Sequence, residues 1–492
     1  MSVTIGIDLG TSGVKAVIAE GVDEPLAEAD KPIAVSAPHP GWSEQDPDLW
    51  CAAVGDCLDR LAADHPHLMA RVAAIGLSGQ MLGAVLIDAA DRPVRPAILW
   101  NDQRSIAECA ELARRVPDIG MRTNGRPDPG LTAPKLLWLA AHEPASLDAA
   151  ATMMLPKDYV RLWMTGEHAT EASDASGTML MDNASATWDA ALCEAAGWSP
   201  ARLPTVVPSW SAAGGLRPAL AARWGLAPGL PIAAGAGDNM AASLGAGVAA
   251  PGDALITIGT SAVVCAVDGA FRPAPQDAVL TGVHAAPEAY LSMAVVMSAT
   301  SAFAWTAGLT GASVPELAAE VDGFAASGRI GEAPLALPSL SGLRTPHNRP
   351  DVGATFTGLT GRTDRAALGY AVLEGVAFQL RECVDAQRAA GLSPSAFFVV
   401  GGGARNGLWL TLIATMLGRP LQSSPAAPMA APLGAVRLAR IAAGLAAPSD
   451  LAEKSAPTMT IEADTALNGA LADRFGRYRE MLCGLGIMTR TA

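Results

Sequence analysis

IGIDLGTSGVKAVIAE, residues 5–20, sets a carboxylate and a hydroxyl-rich glycine turn between two apolar segments. Ile5 and Ile7, then Val14, Ala16 and Ile18, alternate as half-buried strands do, and Gly10, Thr11, Ser12 and Gly13 supply the bend of a hairpin. The glycines let backbone amides approach a ligand closely, the Thr11 and Ser12 hydroxyls add donors and Lys15 adds positive charge, so the turn has the composition of a phosphate cradle. Asp8, at the end of the first strand, suits a hydrated magnesium ion facing those phosphates. An ordinary hairpin turn beside a surface aspartate reads the same way, and the choice needs a second observation.

Internal repetition supplies it. ALITIGTSAVVCAV, residues 254–267, is built like the opening stretch, with Gly259, Thr260 and Ser261 in the places of Gly10, Thr11 and Ser12. A small-residue run, GAGVAAPGD (residues 245–253), precedes it and predicts two domains, 1–248 and 249–492, whose turns face a common cleft and hold a nucleotide's phosphates from both sides. A third glycine element, Gly401, Gly402, Gly403 and Ala404, follows the apolar AFFVV (396–400) and leads into a helix over 406–417, stopped at Gly418. Strand, glycine turn and helix together make a resting place for a ligand, or simply permit close packing. The GxGxxG spacing of a dinucleotide site is missing.

Bulk properties narrow the class. A chain of 492 residues exceeds what one core usually serves. Net charge −14, from 34 basic and 48 acidic residues with no Lys/Arg-rich run, disfavours nucleic-acid partners. The seven cysteines are scattered without a CxxC pair and read as reduced thiols; with no basic leader over residues 1–9, a cytoplasmic enzyme is expected. Residues 289–315 carry no charge and are long enough to span a bilayer, yet they divide into a strand (289–297) and a Ser/Thr-bearing helix (298–309), so no membrane partner is predicted. Elsewhere in the first half, strands are expected at 3–8, 14–19, 72–77, 84–88 and 96–99, interleaved with helices. Asp46 caps one opened by Pro47, with Trp50, Val54, Cys57, Leu58 and Leu61 on its apolar face. The fold class is α/β in both halves.

LPIAAGAGDN, residues 230–239, is a small-residue run ending in Asp238. Sugar hydroxyls ionise far above neutral pH, so phosphoryl transfer to one benefits from a carboxylate that takes its proton. Asp238 is the candidate, although Asp238 and Asn239 also suit a strand end or a helix cap.

In chain order, the opening stretch, HPGWSEQDP (39–47), GLSGQM (76–81), ILWNDQRS (98–105), LPKDYVRLWMTG (155–166), SDASGTM (173–179), AGAGDN (234–239), ITIGTSAVV (256–264), RTPHNRP (344–350), TGLT (357–360) and VVGGGARN (399–406) together resemble the FGGY carbohydrate kinases, and within them the xylulokinase subfamily. The resemblance runs from Ile5 to about residue 440. It implies two ribonuclease H-like domains of the actin, hexokinase and heat-shock ATPase type flanking a cleft for ATP and sugar. It also implies ATP- and Mg²⁺-dependent phosphorylation of D-xylulose to D-xylulose 5-phosphate, with domain closure excluding water. Asp238 would accept the proton and Asp8 would position magnesium. Thr11, Ser12, Lys15, Gly259, Thr260 and Ser261 would lie near the phosphates. Gly402, Gly403 and Ala404, with Thr357 and Gly358, would bound the adenosine, and Met81, Leu82, Asp238 and Asn239 would face the sugar. A homodimer is possible.

Two positions depart from the subfamily pattern. Leu82 stands where typical xylulokinases carry histidine after Gln-Met, and Leu343 where a glutamate precedes Arg-Thr-Pro. Both changes replace a polar group beside the cleft and raise the alternative of a deoxy-ketose, ribulose or a polyol as substrate. An actin-like filament ATPase is the alternative of another class. His39, Trp42, Glu44, Trp100, Asp102, Arg104 and His347 are assigned to packing and internal hydrogen bonding.

Overall fold

The computed structural model describes residues 2–423, 429–454 and 456–489. Met1, where the leader reading begins, lies outside them. The opening hairpin forms: strands Val3–Leu9 and Gly13–Ala19 pair antiparallel from Thr4↔Ala19 to Leu9↔Val14. Their alternation is used fully. Ile5, Ile7, Val14, Ala16 and Ile18 enter one core with Trp50, Val54, Cys57, Leu58 and Leu61 of helix Pro47–Asp64, whose first turn is capped by the Asp46 carboxylate. Val17 and Ala19 face the other way, onto Leu433 and Val436.

The hairpin begins a seven-stranded sheet. Ala27–Pro32 extends it on one side; on the other, Val72–Gly79 pairs parallel with Val3–Leu9, followed by Pro231–Ala233 and Ala212–Gly215. The short strand Ala236–Gly237 also pairs parallel with Val72–Gly79, at its carboxyl end. Residues Asp253–Ile258 and Ala262–Asp268 start a second seven-stranded sheet of the same plan: an antiparallel meander continuing to Tyr290–Val296 on one side, and parallel neighbours Ala396–Val400 and Leu421–Ser423 on the other. The repetition visible in two hairpins thus extends to the strand order of whole sheets.

The predicted strands at 84–88 and 96–99 shorten to Val85–Ile87 and Ala97–Ile98 and lie outside both large sheets, paired with Thr152–Met154 and Glu44–Gln45. Leu86 and Ile98 serve a separate cluster with helices Ile106–Arg115 and Thr132–His142, while Val85, Ile87, Ala97 and Leu99 pack in the first sheet's core, so the strands pair elsewhere yet still bury one face against that sheet. The uncharged segment at 289–315 forms strand Tyr290–Val296 and helix Thr300–Leu309 as expected. Among the described residues no helix is long and apolar enough to cross a membrane.

Helix Ala430–Ala442 ties the halves together. It arises late in the chain yet lies on the first sheet and against helix Asp238–Gly245, and glycines make room for it. A Cβ at Gly6 would sit 2.0 Å from the Pro432 carbonyl, at Gly76 1.9 Å from that of Ala435, at Gly245 1.8 Å from that of Ala430, and at Gly434 1.9 Å from that of Ala241. Backbone-to-backbone approach this close excludes any side chain at these positions.

Candidate active site

Strand register assembles the acids. Asp8 pairs with Ser78, and Ala236 pairs with the same Ser78 from the opposite side, so Asp238 emerges two residues beyond that row at the start of its helix. Ser78 Oγ donates to Asp8 Oδ1 at 2.8 Å. Burial pushes the Asp8 carboxyl up, against the Ser78 donor and the positive charge of Lys15, its partner across the hairpin. Asp238 is pushed up to about 7, first by burial and then by the charge of Asp8. The Asn239 backbone N–H (2.7 Å) and side-chain Nδ2 (3.0 Å) donate to Asp238 Oδ1 and pull the other way. Two half-buried carboxylates that repel each other form a site that a cation or a proton stabilises.

Met81 packs on Gly237, the residue before Asp238: a Cβ there would lie 2.7 Å from the Met81 sulfur. Leu82 adopts φ 71° and lays its side chain on Gly177, where a Cβ would be 2.3 Å from Leu82 Cδ2. Opposite them, Thr11 is engaged by its own half. Its hydroxyl donates to Gln80 Oε1 (3.1 Å) and accepts from Trp100 Nε1 (3.0 Å), and its carbonyl accepts from Gln45 Nε2 (2.8 Å). Ser12 is the exposed hydroxyl of that turn.

Trp100 makes the internal hydrogen bond assigned to it, from its indole nitrogen to Thr11, but it does not pack inside the lobe, being 49% exposed. No periodicity could have separated it from Trp42, which is covered by Arg104 at 3.6 Å while Arg104 pairs with Asp102 and Glu44. Ser78 was also missed, although its parity within a strand parallel to Val3–Leu9 places it beside Asp8.

A fully buried charge cluster holds the backbone that leads to Asp238. Lys157 Nζ lies 3.1 Å from carboxylate oxygens of Asp158, Glu171 and Asp174. Arg161 pairs with Asp158 and donates to the Ala234 carbonyl at 2.7 Å, and the Gly237 N–H donates to Ser173 Oγ at 3.2 Å. Below Asp238, Met81, Ala236 and Met240 pack with Leu255, Cys265 and Phe398 of the second sheet in one apolar seam. The Cys265 thiol is pushed up to about 12 by burial and then by Asp238.

In the second half, Gly259, Thr260 and Ser261 form the turn, with Thr260 exposed. The Ser301 hydroxyl and the Ala299 N–H donate to the Thr260 carbonyl at 2.8 Å each. Asp253–Ile258 runs parallel to Ala396–Val400, which brings this turn to the same sheet edge as Gly401, Gly402, Gly403 and Ala404. The glycines divide in role. Gly401 has φ 98°, and Gly403 must stay bare because a Cβ would lie 2.3 Å from Ile258 Cγ2, whereas Gly402 is exposed with open space beside it. Thr357 and Gly358 are exposed at the end of a different hairpin, Leu335–Leu337 with Thr355–Thr357.

Leu343 does not face the cleft. It is 6% exposed and packs within the second half's core, so it cannot make the site less polar. His347, 3.1 Å from Glu382, is structural as expected.

The donor set fits a magnesium ion held largely by water and phosphate. Among the described residues no group of three or more His, Cys, Asp or Glu forms a protein cage, and Asp8 supplies a single carboxylate of the kind such an ion takes.

Residues 3–245 match the N-terminal domain, and residues 254–443 the C-terminal domain, of the FGGY family of carbohydrate kinases. The chain is 42% identical over 440 residues to the xylulose kinase of Escherichia coli (strain K12), covering 89% of this chain and 90% of that one, and 40% identical to that of Klebsiella pneumoniae over 89% of each. A xyloylose kinase crystal structure from Brucella ovis superimposes with TM-score 0.93 at 40% identity, covering 98% of this chain and 99% of that one. The xylulose kinase structure from Rhodospirillum rubrum does so with TM-score 0.88 at 28% identity, over 98% and 99%. With both domain models matched in order and the two-sheet α/β architecture shared throughout, the chain belongs to the FGGY family of carbohydrate kinases.

Proposed function

We propose that the protein transfers the terminal phosphoryl group of ATP to a ketopentose, D-xylulose, giving D-xylulose 5-phosphate and ADP. The observation that carries this reading is Asp238: a half-buried carboxyl at a helix start, raised to about 7 and backed by Asp8. A base near neutral pKa combines adequate ionisation with useful basicity. The xylulose kinases that are 40–42% identical over most of the chain support the choice of sugar.

In this mechanism Asp238 accepts the proton of the terminal hydroxyl as the phosphoryl group is transferred, while Asn239 orients its carboxylate. Met81 and Leu82 wall the sugar, with Trp100 added to them on the strength of its exposed indole. Ser12, Thr260, Ser261 and the amide of Gly10 meet the phosphates from two sheet edges, while Gly259 shapes its turn by donating its N–H to the Ser261 carbonyl at 2.9 Å. Lys15 acts on them and on Asp8 through charge, and Thr11 through its backbone. Gly402, Gly403, Ala404, Thr357 and Gly358 bound the adenosine. Asp8 would position hydrated Mg²⁺, which supplies neutralisation of phosphate charge. The division at residues 248 and 249, and a cytoplasmic setting supported by seven reduced thiols, belong to the same proposal.

A less hydroxylated ketose is the second reading, motivated now by Leu82 alone. ADP release with magnesium and ATP, measured across D-xylulose, a deoxy-ketose, D- and L-ribulose and glycerol with Asp238→Ala as control, decides. Strong Asp238-dependent turnover of D-xylulose supports the first reading; poor turnover beside a good deoxy substrate replaces it with the second.

A further inference from the structure

Lys135 is buried without exposure, on helix Thr132–His142. Among the described residues its Nζ donates to two backbone carbonyls, Leu82 at 2.9 Å and Gly130 at 2.7 Å. The carboxylates that act on it from a distance are engaged elsewhere: Asp102 with Arg104 and the Ser43 N–H, Asp128 with Arg344 and the Gly130 N–H. Burial accordingly pulls the amine down to about 7. A buried amine facing only carbonyls is an expensive way to fill space.

The two carbonyls explain it. Leu82 holds a left-handed conformation, φ 71°, which a residue with a Cβ keeps only when its surroundings over-determine it. Its carbonyl is gripped twice, by Lys135 and by the Thr132 hydroxyl at 3.0 Å. Gly130 abuts the backbone of Trp100, where a Cβ would come 2.3 Å from the Trp100 carbonyl. One ammonium group therefore joins the Leu82 turn to the loop that supports the Trp100 backbone.

We propose that Lys135 is a positioning residue for the sugar: by bridging the Leu82 and Gly130 carbonyls it fixes the spacing of the Leu82 and Trp100 walls and so sets which ketose fits. This rests on the reading that Met81 and Leu82 line the sugar pocket. Asp128 extends the bridge, since the residue that orients Gly130 also pairs with Arg344 of the second half at 2.8 Å.

The test compares Lys135→Met, Thr132→Val and Leu82→Ala with the parent enzyme, measuring kcat and KM for D-xylulose, D-ribulose and ATP. Lys135→Met is expected to raise the D-xylulose KM about tenfold and narrow the D-xylulose to D-ribulose preference about fivefold, with the ATP KM unchanged. Thr132→Val, which removes one of two donors and keeps the shape, is expected to do the same about threefold and decides the matter if Lys135→Met does not fold. A loss of kcat shared equally by both sugars, or no change in preference, overturns the inference, because a purely structural lysine would act that way. If Leu82→Ala alters the preference while the two donor variants do not, the sugar-pocket reading stands and the inference falls. If Leu82→Ala also leaves every sugar parameter unchanged, both fall.

Discussion

Asp8 and Asp238 flank a single strand: Ser78 is the direct neighbour of Asp8 on one side and of Ala236, two residues before Asp238, on the other. Burial first, and then the opposing charge of Asp8, push the Asp238 carboxyl up to about 7.

A difference titration of the ligand-free protein against Asp238→Asn is expected to show one additional proton released near pH 7. Asp8→Asn should move that release to lower pH, because a like charge is removed. Release near pH 4 in the parent would contradict this account of the pair.

Asp238→Asn should lower kcat by about 10²–10⁴-fold, the usual worth of a general base, while leaving the ketose KM within a few-fold. Steady-state ADP release checks it. Retained turnover would assign the proton to another group.

The same substitution should stabilise the empty protein at alkaline pH. The folded carboxyl titrates at about 7 instead of its ordinary 3.8, so between those values the folded state binds a proton that the unfolded state lacks. Stability contributed by this group therefore falls as pH rises through that window and is flat above it. At pH 8, Asp238→Asn is expected to gain about 2–4 kcal/mol, a margin that vanishes toward pH 4; urea unfolding at both pH values measures it.

Gly434→Ala tests the helix that joins the halves. Its new methyl group would lie 1.9 Å from the Ala241 carbonyl, a backbone atom that cannot move aside without shifting helix Asp238–Gly245. A loss of more than about 3 kcal/mol or failure to fold is expected, against a gain of about 0.5–1 kcal/mol for Gly476→Ala, which lies exposed inside helix Asn468–Gly484 with open space around it.

Leu82→His places a hydrogen-bonding side chain at a position whose left-handed backbone histidine tolerates better than leucine. The D-xylulose KM is expected to fall about threefold to tenfold, consistent with one added hydrogen bond. An unchanged KM would mean that residue 82 does not meet the sugar.

The opening hairpin, its repeat at residue 254 and the capped helix Pro47–Asp64 were legible because alternation, turn chemistry and capping act over a few residues. Asp8 and Asp238 were legible as candidates for a related reason: a carboxylate ending a small-residue or apolar strand is conspicuous. The strands at 84–88 and 96–99 were legible as extended chain but not as members of a side lobe, because a strand's pattern does not name its partner.

By itself, then, the sequence determined the α/β class and the two phosphate-shaped turns and singled out Asp238 as a candidate carboxylate, since these depend on local chemistry and spacing. Tertiary structure decided the rest. Only register across Val72–Gly79 couples Asp8 to Asp238, only packing separates buried Leu343 from half-buried Leu82, and only the return of helix Ala430–Ala442 to the first sheet gives Gly6, Gly76 and Gly434 their purpose. Each of these depends on contacts between residues far apart in the chain, where a side chain's neighbours are set by the fold and not by its own sequence context.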